Sequence, residues 1–434
     1  MTGTATGPLP RIPVSPGPPG PVMARVFPAA AKTAPAPGFR LAAAVVFLSP
    51  MNYLRAPGLY FTASDVAVVL ALVLMLRQGT LPRRPFGPAT GMWLAGFLLL
   101  ASGLMLGSIA HAAGVDLGTV LAQYAFSLLL MPLVLAGRDL DETVALCRVL
   151  VLSIVVVMLF GIWMIHVVPD PPKNFVSGNG RLRSLVEREN EAAALGAMAV
   201  AMLLGLWRAG RARLWELLLA MPILAYGIML AGSNTGLGCT ALGVATIMLL
   251  APSGRLTLIV VVVLAALIGL GTAFPALVPE VFRARVLEGL TAGDPSLSGT
   301  FTDRLLLMQE AFQLARDRLL IGMGAEQYRT ISIFDTVVHN TYLLLLNEGG
   351  LMSLCGLVVL MLSGLPAALA HLGDRRHRAL AATTLTILMI FALMMNTIPH
   401  FYARFWNVPL ILAFSLSCAL PPSARPLSRN AAHA

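Results

Sequence analysis

The stretch Val338-His-Asn-Thr-Tyr-Leu-Leu-Leu-Leu-Asn-Glu-Gly-Gly350 joins a polar pair to an apolar run that continues to about residue 370. A transmembrane helix needs roughly 20 consecutive apolar residues, and this run is long enough. Upstream lies the longest polar interval of the chain, from about 274 to 338. We therefore expect His339 to lie where water meets the bilayer, where a lipid-borne substrate can meet a water-soluble one.

The composition is that of a membrane protein. Of 434 residues, 57% are hydrophobic and 12% are charged, and the mean hydropathy is +0.81. Soluble domains have roughly 45–50% apolar and about 25% charged residues. The sequence predicts an all-α, polytopic integral membrane protein with about 12 transmembrane helices. The predicted spans lie near 39–54, 59–76, 90–110, 116–136, 143–167, 190–207, 213–231, 235–251, 256–275, 340–370, 379–398 and 404–420.

Charge at the ends of these spans predicts their orientation. Residues 1–38 contain ten prolines and no acidic residue, which predicts a disordered cytoplasmic tail. With that tail inside, every loop that follows an even-numbered span is basic, as the positive-inside rule requires. The prediction is a membrane domain over 39–420, with periplasmic loops at about 169–189 and 274–338, the second partly helical, and a cytoplasmic tail over 421–434.

Several arginines lie on the predicted outer side, where the orientation rule does not explain them. A cluster of external arginines is a candidate anion site. The alternative is that each pairs with a nearby Glu or Asp in a long loop. The residues are Arg181, Arg183, Arg188, Arg283, Arg285, Arg304, Arg316, Arg318 and Arg329. The remaining positive charge is explained by membrane orientation, so the net charge of +10 does not indicate nucleic-acid binding.

The larger external loop is predicted to contain a helix. Thr300-Phe-Thr-Asp303 has the spacing of a capping box, with Asp in place of Glu. Apolar residues then recur at helical spacing, which favours a helix on the membrane surface. They are Leu305, Met308, Phe312, Ala315 and Leu319. The helix is expected to stop at Ile321-Gly-Met-Gly324, and this interpretation is favoured over a phosphate-binding loop.

His339 is the candidate catalytic residue. The adjacent Asn340 can orient an imidazole or hydrogen-bond a sugar, and a helix start offers free N–H groups. The alternative is an amphipathic anchor at the membrane interface. In the shorter loop, Arg181 and Arg183 precede a helix that begins near Asn190 and can bind phosphate bidentately. Their alternative role is to reach toward lipid head groups.

The sequence predicts no metal and no soluble cofactor. Asp139-Leu-Asp141 resembles a metal-binding Asp-x-Asp motif, but it lies at a predicted cytoplasmic helix start, where Asp acts as a cap. The four cysteines are dispersed within apolar segments, a pattern typical of small buried residues rather than of a disulfide framework. They are Cys147, Cys239, Cys355 and Cys418.

The chain resembles the O-antigen ligase and O-antigen polymerase superfamily of bacterial polysaccharide enzymes. The resemblance covers roughly residues 40–420. The matching motifs are Arg304 at the start of a loop helix, the turn Gly322 to Gly324, the pair His339-Asn340, and the ending Glu348 to Gly350. Arg181 through Asn190 and Tyr60 to Asp65 are weaker matches. One departure is Ser233-Asn234-Thr235-Gly236, where the family often has Arg in place of Asn234.

The resemblance implies glycan transfer from an undecaprenyl diphosphate carrier to an acceptor hydroxyl at the periplasmic face of the bacterial inner membrane. His339 would be the base, and Arg304 with Arg181 or Arg183 would hold the diphosphate. Asn340, Asn190 and Asn234 are further candidate substrate-binding residues. The acceptor would be the lipid A core in a ligase, which is favoured, or the growing polysaccharide in a polymerase. A transporter or lipid-glycan flippase is the alternative of another class.

Overall fold

A computed structural model describes residues 37–55, 61–111, 114–288 and 301–421. Within these residues the protein is all-helical and has no strand, only isolated backbone bridges at two loops. The predicted all-α class is confirmed. Nearly all of both predicted tails, as well as Thr300 of the expected capping box, lies outside the described residues.

Seventeen α-helices are present in the described part of the chain. They are α1 (Pro37–Leu48), α2 (Ala63–Gln78), α3 (Thr90–Ala110), α4 (Gly114–Ala125), α5 (Met131–Leu135), α6 (Leu140–His166), α7 (Glu189–Arg208), α8 (Leu214–Ala231), α9 (Asn234–Leu250), α10 (Gly254–Ala273), α11 (Glu280–Phe282), α12 (Phe301–Arg316), α13 (Tyr328–Ile331), α14 (Thr341–Leu362), α15 (Leu365–Leu372), α16 (Arg378–Met394) and α17 (Arg404–Cys418).

Seven helical segments of the described chain are long and apolar enough to cross a membrane. They are Gly87–Ala110, Asp116–Leu135, Leu140–His166, Glu189–Arg208, Leu214–Ala231, Gly254–Ala273 and Thr341–Leu372. The other five predicted spans are also helices, α1, α2, α9, α16 and α17, but each has only 12 to 17 residues. The predicted membrane-protein class is supported, and the count of twelve stays a prediction.

Helix α7 forms the centre of the bundle. It packs against α6, α8, α9 and α16, and nearly all of its residues are buried. Small residues permit this close packing, since a Cβ at Gly205 would lie 1.7 Å from the Thr383 hydroxyl of α16. The chain enters α7 through the loop 167–188, so this central position also fixes the loop's last residues.

Helices α3 and α14 meet along a seam of small residues. A Cβ added at Gly103 would lie 2.5 Å from the carbonyl oxygen of Gly349, and one at Gly356 would lie 2.3 Å from the backbone nitrogen of Leu100. Ser353 adds a hydrogen bond of 2.8 Å to the Leu100 carbonyl. Small residues let transmembrane helices approach closely in this way.

Helix α14 is broken at Gly350, where φ is +67°. The loop after α12 fills the break: Met323 N–H donates to the Asn347 carbonyl at 2.7 Å and Gly324 N–H donates to the Glu348 carbonyl at 2.9 Å. A Cβ at Gly322 would clash with the Glu348 backbone at 2.3 Å. The Gly-x-Gly turn therefore docks on another helix. The predicted helix stop at Ile321-Gly-Met-Gly324 is wrong by about five residues, because α12 already ends at Arg316.

The predicted loop helix is present as α12. Its buried residues are Leu307, Ala311 and Ala315. Leu307 and Ala311 belong to a hydrophobic cluster with Tyr328 and with Leu343 and Leu344 of α14. Of the predicted apolar face, Leu305, Phe312 and Leu319 are exposed. The helix thus presents apolar side chains outward, as a helix at a membrane surface does.

Asp139 caps α6, because its carboxylate accepts a hydrogen bond of 2.8 Å from Glu142 N–H. The capping interpretation of the Asp139-Leu-Asp141 motif is confirmed. Among the described residues, no group of three or more His, Cys, Asp or Glu side chains is placed to hold a metal ion.

Candidate active site

A cavity of about 220 Å³ lies where several helix ends meet. Its walls are the loop before α7, the first turn of α7, the start of α12, the residue before the cap of α14, and the segment after α16. The lining residues are Arg181, Arg188, Glu189, Asn190, Glu191, Arg304, His339, Thr397 and Ile398.

Hydrogen bonds to the end of α16 hold the start of α14, and with it His339. Asn340 is the N-cap of α14, with its side chain accepting from Leu343 N–H at 3.0 Å. Thr341 donates through its N–H to the Met395 carbonyl and through its hydroxyl to the Ile398 carbonyl, each at 2.8 Å. His339 is therefore fixed on the cavity wall beside Thr397 and Ile398.

The His339 imidazole lies in a cationic and partly desolvated environment. Burial is the largest cause that lowers its pKa, the charges of Arg304 and Arg188 act in the same direction, and the resulting pKa is about 4. Its Nδ1 is buried and has no hydrogen-bond partner among the described residues. The imidazole is thus neutral at pH 7, with one ring nitrogen unprotonated.

The arginines of the cavity differ in how their charges are balanced. Arg181 is buried and lies 3.9 Å from the Glu189 carboxylate, and Arg183 contacts the same carboxylate at 3.0 Å. Arg188 and Arg304, in contrast, form no salt bridge within the described part of the chain. Burial and the charges of Arg285 and Arg188 lower the pKa of Arg304. These two arginines are the ones available to an anion.

Arg181 is held by the backbone as well as by charge. Its Nε donates to the Ala231 carbonyl at the end of α8 at 2.8 Å, and a terminal nitrogen donates to Asn190 Oδ1 at 3.2 Å. Burial and the surrounding arginines lower its pKa to about 10, so it remains cationic at neutral pH. Arg181 therefore connects the loop, α7 and α8 at the cavity wall.

Four of the seven predicted site residues line the cavity together: His339, Arg304, Arg181 and Asn190. The structure does not place the other three on its wall. Arg183 is engaged with Glu189 and with the Lys173 carbonyl, and Asn234 donates to the Arg285 carbonyl at 3.3 Å. Asn340 caps α14 and donates to Asn396 at 3.3 Å.

Sequence reasoning did not assign a site role to Arg188, Glu189, Glu191, Thr397 or Ile398. Arg188 was visible only as one of nine external arginines, and the two glutamates lie in the first turn of α7, where acidic residues are common for structural reasons. The signal that could have found them is their proximity to Arg181 and Asn190 in a loop that ends at a helix N-terminus. Thr397 and Ile398 carry no such signal, because they reach the site only through tertiary packing.

A larger recess of about 610 Å³ lies elsewhere, between Tyr53 and Val66. It is mostly apolar, and Arg55, its one arginine, is paired with Glu187 at 2.5 Å. Its charge is therefore balanced, and we place the chemistry in the smaller, cationic cavity.

The fold and the cavity define a class of protein: a multi-span helical membrane protein with a cationic, histidine-bearing site at one end of its bundle. Residues 217–358, from α8 to α14, match the family model described as O-antigen ligase. The predicted resemblance to that superfamily is confirmed over this segment, which includes Arg304 and His339. The match supports a membrane glycosyltransferase of the O-antigen ligase or polymerase type, acting on lipid-linked glycans and polysaccharides. Comparison with curated proteins gives no match.

Proposed function

We propose that the protein transfers a glycan from an undecaprenyl diphosphate carrier to an acceptor hydroxyl at the periplasmic face of the inner membrane, with the lipid A core as acceptor. One observation carries this proposal. A neutral histidine shares a cavity with Arg188 and Arg304, two arginines that have no salt-bridge partner among the described residues.

In the proposed reaction, the acceptor oxygen attacks the anomeric carbon of the donor sugar. The bond from that carbon to the diphosphate oxygen breaks, and the electron pair leaves with undecaprenyl diphosphate. Arg304 and Arg188 stabilise the charge that accumulates on the leaving diphosphate. Arg is suited to this role because its planar guanidinium binds phosphate oxygens bidentately.

His339 takes the proton of the acceptor hydroxyl. Before the donor binds, the low pKa of His339 keeps the imidazole neutral, so it can act as a base, but a weak one. A bound diphosphate adds negative charge beside the imidazole and offsets the two arginines, which raises the pKa of the histidine. The base thus becomes stronger when the donor is present.

We predict that His339→Gln lowers kcat for glycan transfer by about 100- to 10,000-fold, the usual contribution of a positioned general base. The measurement is transfer from an undecaprenyl diphosphate-linked glycan by the purified protein in detergent. The matched control is His166→Gln, since His166 stacks on Tyr226 away from the cavity. Near-normal transfer by a well-folded His339→Gln variant would refute the assignment of the base.

The ligase and polymerase alternatives share this donor site and differ in the acceptor. A deletion strain separates them through its surface polysaccharide. Long polymer that is not attached to the lipid A core identifies a ligase, whereas single attached repeat units identify a polymerase. A transporter or flippase would form no new glycosidic bond in the purified assay.

A further inference from the structure

We propose that Glu326 and His400 form an acceptor-binding pair beside the cavity and hold a sugar hydroxyl toward His339. This inference rests on the proposed function and adds the residues that would recognise the acceptor. Its basis is a polar cluster, built on the loop after α12 and on the segment between α16 and α17, that adjoins the cavity.

The cluster adjoins the cavity through the segment after α16. Thr397 and Ile398 line the cavity, and His400 follows two residues later. His400 is close enough to Arg188 and to His339 to interact with them electrostatically, because both lower its pKa. Burial is the largest cause, and together these effects bring that pKa to about 4. Both imidazoles are therefore neutral at pH 7.

Glu326 faces His400 from the loop after α12. The Glu326 carboxylate lies 3.7 Å from His400 Nε2, beyond hydrogen-bond distance but close enough for one hydroxyl to contact both groups. Their side chains are 30% and 21% exposed, so both are accessible. The His400 ring stacks on Tyr402 with centroids 5.1 Å apart, which fixes the imidazole plane.

The backbone at Glu326 is in an uncommon conformation. Its φ is +60°, a left-handed value that non-glycine residues rarely adopt. Ala325 N–H anchors the preceding residue by donating to the Ser108 hydroxyl at 3.0 Å. Such conformations persist where the surroundings enforce them, and they occur often at binding and catalytic sites. Here the conformation directs the carboxylate toward His400.

The loop is also held from beneath. Glu348 is 3% exposed and faces the backbone N–H groups of Glu326 and Tyr328. This contact helps to fix the backbone that carries the Glu326 carboxylate.

The cavity and the Glu326–His400 pair suit two different substrates. Arg181, Arg188 and Arg304 line the cavity, where an anionic diphosphate is favoured. Glu326 and His400 are not among the residues that line it, and they offer a carboxylate and a neutral imidazole beside it. Carboxylates accept hydrogen bonds from hydroxyls, so this pair favours the sugar acceptor.

The test measures the Michaelis constant of each substrate separately with the purified full-length protein. The donor is an undecaprenyl diphosphate-linked glycan, and the acceptor arms are lipid A core and a second carrier-linked glycan. The variants are Glu326→Gln, Glu326→Asn and His400→Asn. Glu326→Asn is included because Asn tolerates positive φ better than most residues. The matched control is Asp317→Asn, an exposed carboxylate of the same loop.

We expect each variant to raise the KM of the acceptor by about tenfold, the effect of losing one hydrogen bond to a charged or polar group, and to leave the KM of the donor unchanged. The arm in which this shift appears identifies the acceptor. An unchanged acceptor KM in all three variants would overturn the inference while leaving the proposed function intact. If the wild-type protein transferred glycan to neither acceptor, the proposed function would fail, and the inference with it.

Discussion

At the scale of single residues, the cavity is defined by the contrast between paired and unpaired arginines. Glu189 balances Arg181 and Arg183, and these three residues shape the loop before α7. Arg304 and Arg188 keep their charges available. Sequence alone could nominate all four arginines as external cations, but it could not separate the two groups, because salt-bridge partners depend on how the loop folds.

The backbone at Glu187, just before Arg188, shows why the fold of this loop could not be predicted from the sequence. Glu187 has a φ of +102°, and its carboxylate bonds Asn52 and Arg55 of a distant loop. Positive φ is rare for a non-glycine residue, so local propensity does not predict it. His339, Arg304, Arg181 and Asn190 were predictable because each lies at a helix start or in a loop with a recognisable pattern.

We predict that Arg304→Lys raises the KM of the lipid-linked donor by about tenfold. Lysine keeps the positive charge but loses the planar fork that binds two phosphate oxygens, and a charge-assisted hydrogen bond contributes about 1.5–3 kcal/mol. The measurement is the donor dependence of glycan transfer. Arg316→Lys, at an exposed position on the same helix, is the control and should leave this KM unchanged. An equal effect of both substitutions would argue against a donor contact at Arg304.

The pKa of His339 predicts the pH profile of transfer. A base must be deprotonated to act, so a pKa near 4 places the acid limb of kcat/KM near pH 4 rather than near 6.5. Removing a cationic neighbour raises the pKa of a histidine, so Arg304→Gln should move the limb toward neutral pH. The measurement is kcat/KM from pH 4 to 8 for both proteins. A wild-type limb at about pH 6.5 would contradict the described environment of His339.

At the scale of helices, the sequence predicted where the elements lie better than where they end. All twelve apolar runs contain helices, since long apolar segments between turn-forming residues favour helix in a membrane. Their lengths were less predictable: the run 340–370 is divided into α14 and α15 and is also broken at Gly350. That break depends on a loop from elsewhere in the chain, which periodicity cannot reveal.

A buried ion pair joins α2 to α17. Asp65 is fully buried, lies 2.7 Å from Arg404, and also accepts from Thr62 N–H at the start of α2. We predict that Asp65→Asn destabilises the protein by about 3–5 kcal/mol, because it leaves the Arg404 charge buried without its carboxylate. The measurement is unfolding of the purified protein in mixed detergent.

The matched control for this pair is Asp141→Asn. Asp141 also lies in the first turn of a helix and pairs with an arginine, Arg211, but its side chain is 84% exposed. Exposed pairs contribute at most about 1 kcal/mol, so the control should change stability little. If both variants lost a similar free energy of unfolding, the burial of Asp65 would not be the reason that its ion pair stabilises the protein.

At the scale of the whole molecule, the cavity lies at one end of the bundle. The loop before α7, the start of α14 and the end of α16 meet there. At the opposite helix ends, Arg208 bonds the Ala251 carbonyl and Arg148 bonds Glu216. The orientation predicted from loop charge would place the cavity outside, in contact with the periplasm. The proposals for the donor and for the acceptor both depend on this orientation.

Cysteine labelling of cells tests this orientation. In a background with the four native cysteines changed to serine, we expect Thr330→Cys to react with a membrane-impermeant maleimide in intact cells with a permeabilised outer membrane. Arg376→Cys should react only after lysis. Both positions are exposed, so accessibility is matched. Labelling of Arg376→Cys alone before lysis would place His339 in the cytoplasm and refute the proposed mechanism.

The break in α14 has a consequence for biogenesis. Segment 341–372 is apolar overall, but it contains the buried polar side chains Asn347 and Glu348, and the carbonyls of these two residues accept hydrogen bonds from Met323 and Gly324 of the preceding loop. Hydrocarbon offers no substitute for those N–H donors. The segment therefore reaches its final conformation only when that loop has docked on it, so docking of the loop and completion of the active site are parts of the same assembly step.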